Sequence, residues 1–136
     1  MKLSFHANFD GRCAEAFEFY QKHLGAIAGP LLTYQDSPAS AAVPEAWQDK
    51  VVHGSISFDS FELAGTDLLP EDYKAPQGFC LLIRIPCKDT VKSLFDVFKK
   101  GGEVVMAPQE TFWSPCYAIV TDRFGIPWKF NCVPEQ

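Results

Sequence analysis

No Cys-x-x-Cys pair occurs in this chain, and its cysteines number five, an odd count. That argues against a disulfide framework and against a zinc knuckle. Cys13, Cys80, Cys87, Cys116 and Cys132 read instead as buried small apolar residues in a reducing compartment. Basic runs are missing as well. The 12 Lys and Arg are scattered among 17 Asp and Glu, and the net charge is −5. Only Lys99 and Lys100 stand together, so there is no stripe for nucleic acid or an anionic membrane. No apolar run approaches the ~20 residues of a membrane span, and the opening MKLSFHANFDG has no apolar signal core. These absences predict a cytoplasmic protein. A Gly-rich strand-to-helix turn, a Walker loop, a Ser-His-Asp order and a paired-carboxylate pattern are absent too, which removes nucleotide binding and the familiar hydrolytic sites.

What is present is an ordinary globular composition, 47% hydrophobic and 21% charged, with 12 Phe. A chain of 136 residues is expected to form one domain and to bury roughly two-thirds of its unfolded surface. Residues 2–9 alternate, with Leu3, Phe5, Ala7 and Phe9 on one side and Ser4, His6 and Asn8 on the other, as in a half-buried strand. Ala16, Phe17, Tyr20 and Leu24 then recur at helical spacing, and Gly25 is a stop. A strand near 26–35, interrupted by Gly29-Pro30, precedes a long Pro-bearing loop over 36–49 with one helical turn. A hairpin follows, 51–58 and 61–68 around Asp59-Ser60, with Val52, Ile56 and Phe58 on one face and His53, Ser55 and Ser57 on the other. After a linker at 70–77 the order begins again. FCLLIRI is a strand, Asp89 is positioned to cap a helix over 90–100, and Gly101-Gly102 ends it. Strands near 103–110, 116–121 and 127–133 complete the chain. Module one (1–69) and module two (78–136) therefore both read βαβββ, an α+β pattern whose sheets need cover on the face away from their helix.

The carrying segments are FDGRCAEAFEFY, the His53-Gly54 strand start, GFCLLIRI, and above all QETFW followed by VTDRFGIPWKFN. Together they resemble the vicinal oxygen chelate superfamily, the glyoxalase/bleomycin resistance/extradiol dioxygenase group, and its PhnB-like branch in particular. The resemblance spans essentially the whole chain. It implies two βαβββ modules in a curved, incompletely closed mixed sheet and a homodimer. In metal-using members it also implies a divalent cation held by His, Glu or Gln from the first and last strands of each module.

Carried over residue by residue, that ligand pattern is broken. His6 and Glu62 occupy two of the places, Cys80 is a soft substitute at the third, and Lys129 stands where a carboxylate belongs. A charged ammonium does not ligate a divalent ion and repels it. No metal cofactor is therefore favoured; His6, Glu62 and Cys80 are the residual ligand candidates. His6, His53 and Glu62 are the candidate acid–base residues. Cys80, Cys87 and Cys116 would be nucleophiles only with a lowered pKa. Asn8, Ser55, Arg84 and Lys129 form a polar inward set for a ligand, and Phe112 with Trp113 is a candidate for either a cavity mouth or a dimer contact.

Three functions fit these residues. One is a small-molecule binder with a degenerate metal site. A second is a metal-dependent lyase, isomerase or dioxygenase of the superfamily. The third is a structural homodimer whose cavity is filled by its own side chains. The fold hosts all three kinds, so the choice rests on the site.

Overall fold

The computed structural model describes residues 1–135. Among these residues there are eight strands, two α-helices and two single 3-10 turns. The chain divides into two compact units, Met1–Lys74 and the segment from Ala75 onward. No helix among the described residues is long and apolar enough to cross a membrane.

Unit one comprises β1 (Phe5–Phe9), α1 (Cys13–Leu24), β2 (Ile27–Thr33), β3 (Val51–Phe58) and β4 (Phe61–Asp67). The 3-10 turns Ser40–Ala42 and Glu45–Trp47 lie in the long loop. The strand order is β1-β4-β3-β2, with β1 parallel to β4 and the other pairs antiparallel. Unit two repeats it. Its elements are β5 (Leu81–Ile85), α2 (Lys88–Phe98), β6 (Glu103–Gln109), β7 (Tyr117–Thr121) and β8 (Pro127–Cys132), in the order β5-β8-β7-β6. Both sheets are mixed and neither closes, the βαβββ pair expected from the sequence.

Each helix covers one sheet face with the stripe that its periodicity marks. In α1 the buried residues are Cys13, Ala16, Phe17 and Tyr20. The sheet makes room for them with glycine: Gly54 and Gly65 pair across β3 and β4. A Cβ at Gly65 would stand 2.8 Å from Phe17 Cζ and 3.0 Å from Cys13 Sγ. In α2 the buried stripe is Val91, Phe95 and Phe98. Phe98 meets Trp128 and Phe130 edge-on, at centroid distances of 5.5 and 5.3 Å.

A buried carboxylate organises each unit. Asp67 ends β4 and is 1% exposed. Its Oδ1 accepts the backbone N–H groups of Gly11 and Cys13 at 3.0 and 2.9 Å, and its Oδ2 accepts that of Val51 at 2.9 Å. It therefore supplies from 54 residues away the cap that Arg12, at the N-cap position of α1, does not provide. Burial pushes the Asp67 carboxyl above its ordinary value, and the three N–H donors and Lys50 pull it back only in part. Asp122, 3% exposed, accepts the N–H groups of Phe124 and Ile126 and the Trp128 indole N–H at 2.9, 3.0 and 2.9 Å. Gly125, at φ 87°, closes this turn with its N–H donating to the Asp122 carbonyl.

Four details differ from the sequence reading. The first strand starts at Phe5, and Leu3 is exposed. Asp89 does not cap α2: the helix begins at Lys88 with Cys87 at the N-cap position, which places Asp89 inside the first turn, where a negative charge meets the helix dipole. Val51, rather than Val52, is the fully buried residue entering β3, because a bulge opposite Leu32 and Thr33 leaves Val52 as the extra residue. Cys87 is exposed rather than buried.

Removing the Asp67 carboxylate leaves three enclosed donors unpaired. Asp67→Ala should cost about 3–5 kcal/mol in urea unfolding, and Asp67→Asn less. Gly65→Ala should cost about 1–3 kcal/mol, because Phe17 and Cys13 must shift. The folded carboxyl of Asp67 holds its proton more tightly than the unfolded one. Its contribution to stability is therefore complete below the ordinary aspartate range near ~4 and is lost as pH rises through the raised value. The stability advantage of wild type over Asp67→Asn should shrink as pH climbs from ~4 to neutral; an advantage that grows would contradict the raised pKa.

Candidate functional site

Residues paired directly across a sheet share a face, so the strand registers place every candidate side chain. In unit one, the helix-facing side of β4 carries Leu63, Gly65 and Asp67, and the opposite side carries Glu62, Ala64 and Thr66. His6 lies opposite Ala64, and so does Ser55 from the other neighbouring strand. Asn8 lies opposite Thr66, and Ser57 opposite Glu62. The outer strand adds Ile27 beside Ser57 and Leu32 beside His53. His6, Asn8, His53, Ser55 and Glu62 thus share the helix-distal face, with the small Ala64 between the longer side chains.

The two histidines sense each other across that face. Partial burial of its ring pushes the His6 pKa below the ordinary histidine value, and the charge of His53 lowers it further. His6 is therefore a neutral imidazole at physiological pH, able to accept a proton or a hydrogen bond. Thr66 is oriented by its hydroxyl donating to the Val51 carbonyl at 3.4 Å.

The helix-distal face of unit two has a different chemistry. Lys129 lies between Leu82 and Ile119, and Ile119 is in turn paired with Met106. In the next row Asn131 lies between Arg84 and Tyr117, and Tyr117 is paired with Gln109. Arg84 and Lys129 are thus diagonal neighbours. The side-chain amide oxygen of Asn131, Oδ1, is buried and has no hydrogen-bond partner among the described residues. Periodicity alone could have shown that Asn131 and Tyr117 belong to this face, since Asn131 shares the parity of Lys129, but the unmet acceptor required coordinates.

Phe112 and Trp113 sit on the connection between β6 and β7. Phe112 is 98% exposed and Trp113 50% exposed. The rings meet edge-on at 4.6 Å, and Trp113 meets Tyr117 in the same manner at 5.2 Å. Ser114 anchors this loop: it is buried, its hydroxyl is within donating distance of the Cys116 and Cys132 carbonyls at 3.0 and 3.2 Å, and its carbonyl accepts the Thr111 N–H at 2.9 Å. The sequence carries no signal for that anchor beyond a serine beside a proline.

All five cysteines are free. Burial pushes the Cys13 and Cys116 thiols up, the opposite of activation. Cys80 precedes β5 and is half-buried. At Cys87 the N–H groups of Thr90 and Asp89 at the start of α2 favour the thiolate and lower the pKa.

Among the described residues, no group of three or more His, Cys, Asp and Glu side chains is disposed to hold a metal ion. His6 and Glu62 are two donors on one sheet face, and the strand of unit two expected to complete the set carries an ammonium at Lys129. These residues do not fit a divalent cation of the kind the resemblance implies.

Comparison with known proteins places these observations. The family described as the Glyoxalase/Bleomycin resistance protein/Dioxygenase superfamily matches residues 5–130. The chain is 31% identical to Protein YjdN of Escherichia coli (strain K12) over 144 positions, covering 100% of this chain and 98% of that one. The crystal structure of protein PA1353 from Pseudomonas aeruginosa superposes with a TM-score of 0.87 at 32% identity, covering 99% of both chains. A PhnB protein from Bacillus cereus, described as a putative 3-demethylubiquinone-9 3-methyltransferase, gives 0.83 at 15% identity, covering 98% of this chain and 100% of that one. With PhnB-like proteins among its structural neighbours, the chain belongs to the glyoxalase/bleomycin resistance protein/dioxygenase superfamily.

Proposed function

We propose that this chain is a cytoplasmic, homodimeric small-molecule binding member of its superfamily, with a degenerate metal site and with ligand groups on the helix-distal sheet faces. Its ligand set is Asn8, Ser55, Arg84, Phe112, Trp113 and Lys129. The observation that carries the reading is the population of those faces. Cations, amides and hydroxyls share these faces: Ser55 and Lys129 on inner strands, and Asn8 and Arg84 exposed on the edge strands β1 and β5. The five free thiols fit a reducing compartment. The outer strands support association: Ile27, Leu31 and Leu32 on β2 and Val104 and Val105 on β6 are exposed apolar residues that a second copy would cover. The methyltransferase description of the Bacillus cereus protein does not transfer to this chain, which lacks a Gly-rich strand-to-helix turn.

A second reading, a metal-dependent lyase, isomerase or dioxygenase, draws on one feature. The neutral His6 shares a face with His53 and Glu62, which suits a metal ligand or a general base.

Metal analysis, thermal shift and sedimentation separate these readings. The purified protein should retain no stoichiometric divalent ion, and its melting temperature should rise with a planar organic ligand but not across a divalent-ion panel. Stoichiometric metal lost in both His6→Ala and Glu62→Ala would overturn the binding reading in favour of the enzyme. Sedimentation at micromolar concentration should give twice the 15.2 kDa chain mass; a monomer would remove the dimer.

A further inference from the structure

We infer that the helix-distal face of unit two receives a planar organic carboxylate that also carries a hydroxyl or N–H donor. The inference rests on the binding reading above and assigns its ligand class.

Charge is the first argument. Arg84 and Lys129 lie on the adjacent strands β5 and β8, in neighbouring rows of one face. With strands ~4.8 Å apart and alternate residues roughly 7 Å apart along a strand, both long side chains can reach one group. The chain has 17 acidic residues against 12 basic ones. Even so, among the described residues neither of these cations is in an ion pair. The acid that the register brings toward this face is Glu103, opposite Thr121 on the outer strand, two strands away from Lys129. Two adjacent cations without acidic partners leave a local positive field on an acidic protein, and a carboxylate complements it. Arginine engages that group through a planar fork, and lysine does so as a point charge.

The second argument is independent of charge. The buried side-chain Oδ1 of Asn131 lacks a donor among the described residues. Such acceptors are uncommon in native proteins and call for a donor from outside the side chains around them. Asn131 lies directly between Arg84 and Tyr117. A ligand whose carboxylate meets Arg84 therefore passes over Asn131, and a turn of the Asn131 carboxamide would bring Oδ1 to a hydroxyl or N–H on the ligand body.

Shape supplies the third argument. Beyond Asn131 the row passes to Tyr117, against which Trp113 stands edge-on at 5.2 Å, and then to Gln109 on the outer strand. Leu82 and Ile119 flank Lys129 in the neighbouring row. From β5 to β7 is two strand spacings, about 10 Å, the reach of one aromatic ring and its carboxylate. The ring would lie on apolar and aromatic surface with its charge at the β5 end.

Calorimetric titration of the full chain with 3-hydroxybenzoate, benzoate and 3-hydroxybenzyl alcohol tests all three arguments. The hydroxy acid should bind tightest. Benzoate should bind several-fold more weakly for want of the Asn131 hydrogen bond, and the neutral alcohol about tenfold or more weakly. Arg84→Gln and Lys129→Gln should each weaken both acids about tenfold and leave the alcohol unchanged, with Lys129→Arg recovering most of the loss. Asn131→Ala should erase the preference for the hydroxy acid over benzoate. Arg84 is exposed, so its variant reports even if substitution in β8 disturbs folding. Equal binding of the alcohol and the acids, or undiminished acid binding in Arg84→Gln, would overturn the carboxylate assignment while the binding reading stands. Failure of all three probes alongside hits from a neutral planar panel would do the same. Failure of every ligand would remove both.

Discussion

The fold turns on two buried carboxylates, one in each unit. Asp67 gathers three backbone N–H groups from the loop before α1, from the first turn of α1 and from the first residue of β3. Those donors are otherwise enclosed and unpaired, so the chain has one economical way to satisfy them: β4 must end beside both the helix start and the β3 start. That requirement sets the register of the parallel β1–β4 pair and of the antiparallel β3–β4 pair together. Asp122 does the corresponding work inside the β7–β8 hairpin and also anchors Trp128 through its indole N–H. Register is what assigns side chains to faces, and a slip of one residue would exchange core and exposed sets. The positions of His6, Ser55, Lys129 and Asn131 on the helix-distal faces are thus consequences of where two aspartates are buried.

Local pattern was enough to read most of this architecture. The alternation at Phe5–Phe9, the Phe17/Tyr20 and Phe95/Phe98 stripes, and the turns at Asp59-Ser60 and Asp122–Gly125 are short-range signals, and each coincides with an observed element. The misses are long-range or subtle. Nothing near Asp67 in the sequence indicates a partner 54 or 56 residues away. The bulge that buries Val51 depends on pairing with β2. The displaced start of α2 follows from the same blindness: Asp89 is a good capping residue, but position within the first turn satisfies its charge equally well. For the candidate site, parity sufficed to group His6 with Asn8, His53 with Ser55, and Arg84 with Leu82. It could not show that His6 and His53 influence each other across β4, or that Asn131 keeps an unmet acceptor.

The two units share a topology but divide their chemistry. The distal face of unit one bears two histidines, a glutamate and several hydroxyls; that of unit two bears a guanidinium, an ammonium, a carboxamide and aromatic rings. Superfamily metal sites draw neutral or anionic donors from both modules, and a cation in one of those places works against the ion before any geometry is considered. On the binding reading proposed above, the Lys129 charge that would disfavour a cation would favour an anion in its place. A change from metal chelation to anion recognition would need few substitutions on an unchanged scaffold, and one fold can serve unrelated functions.

The outer strands pose the remaining physical problem. β2 and β6 each form one edge of their sheet, opposite β1 and β5, and each is bulged and interrupted by proline, at Pro30 and Pro108. Proline and bulges withhold backbone donors and twist the edge, which blocks open-ended strand pairing. The side chains on these strands argue the other way, since Ile27, Leu31, Leu32, Val104 and Val105 expose apolar surface. An edge that refuses backbone pairing but offers side-chain contact favours closed association through packing over fibre growth through hydrogen bonds. Aliphatic side chains beside edge prolines would suit the bounded interface between copies proposed above.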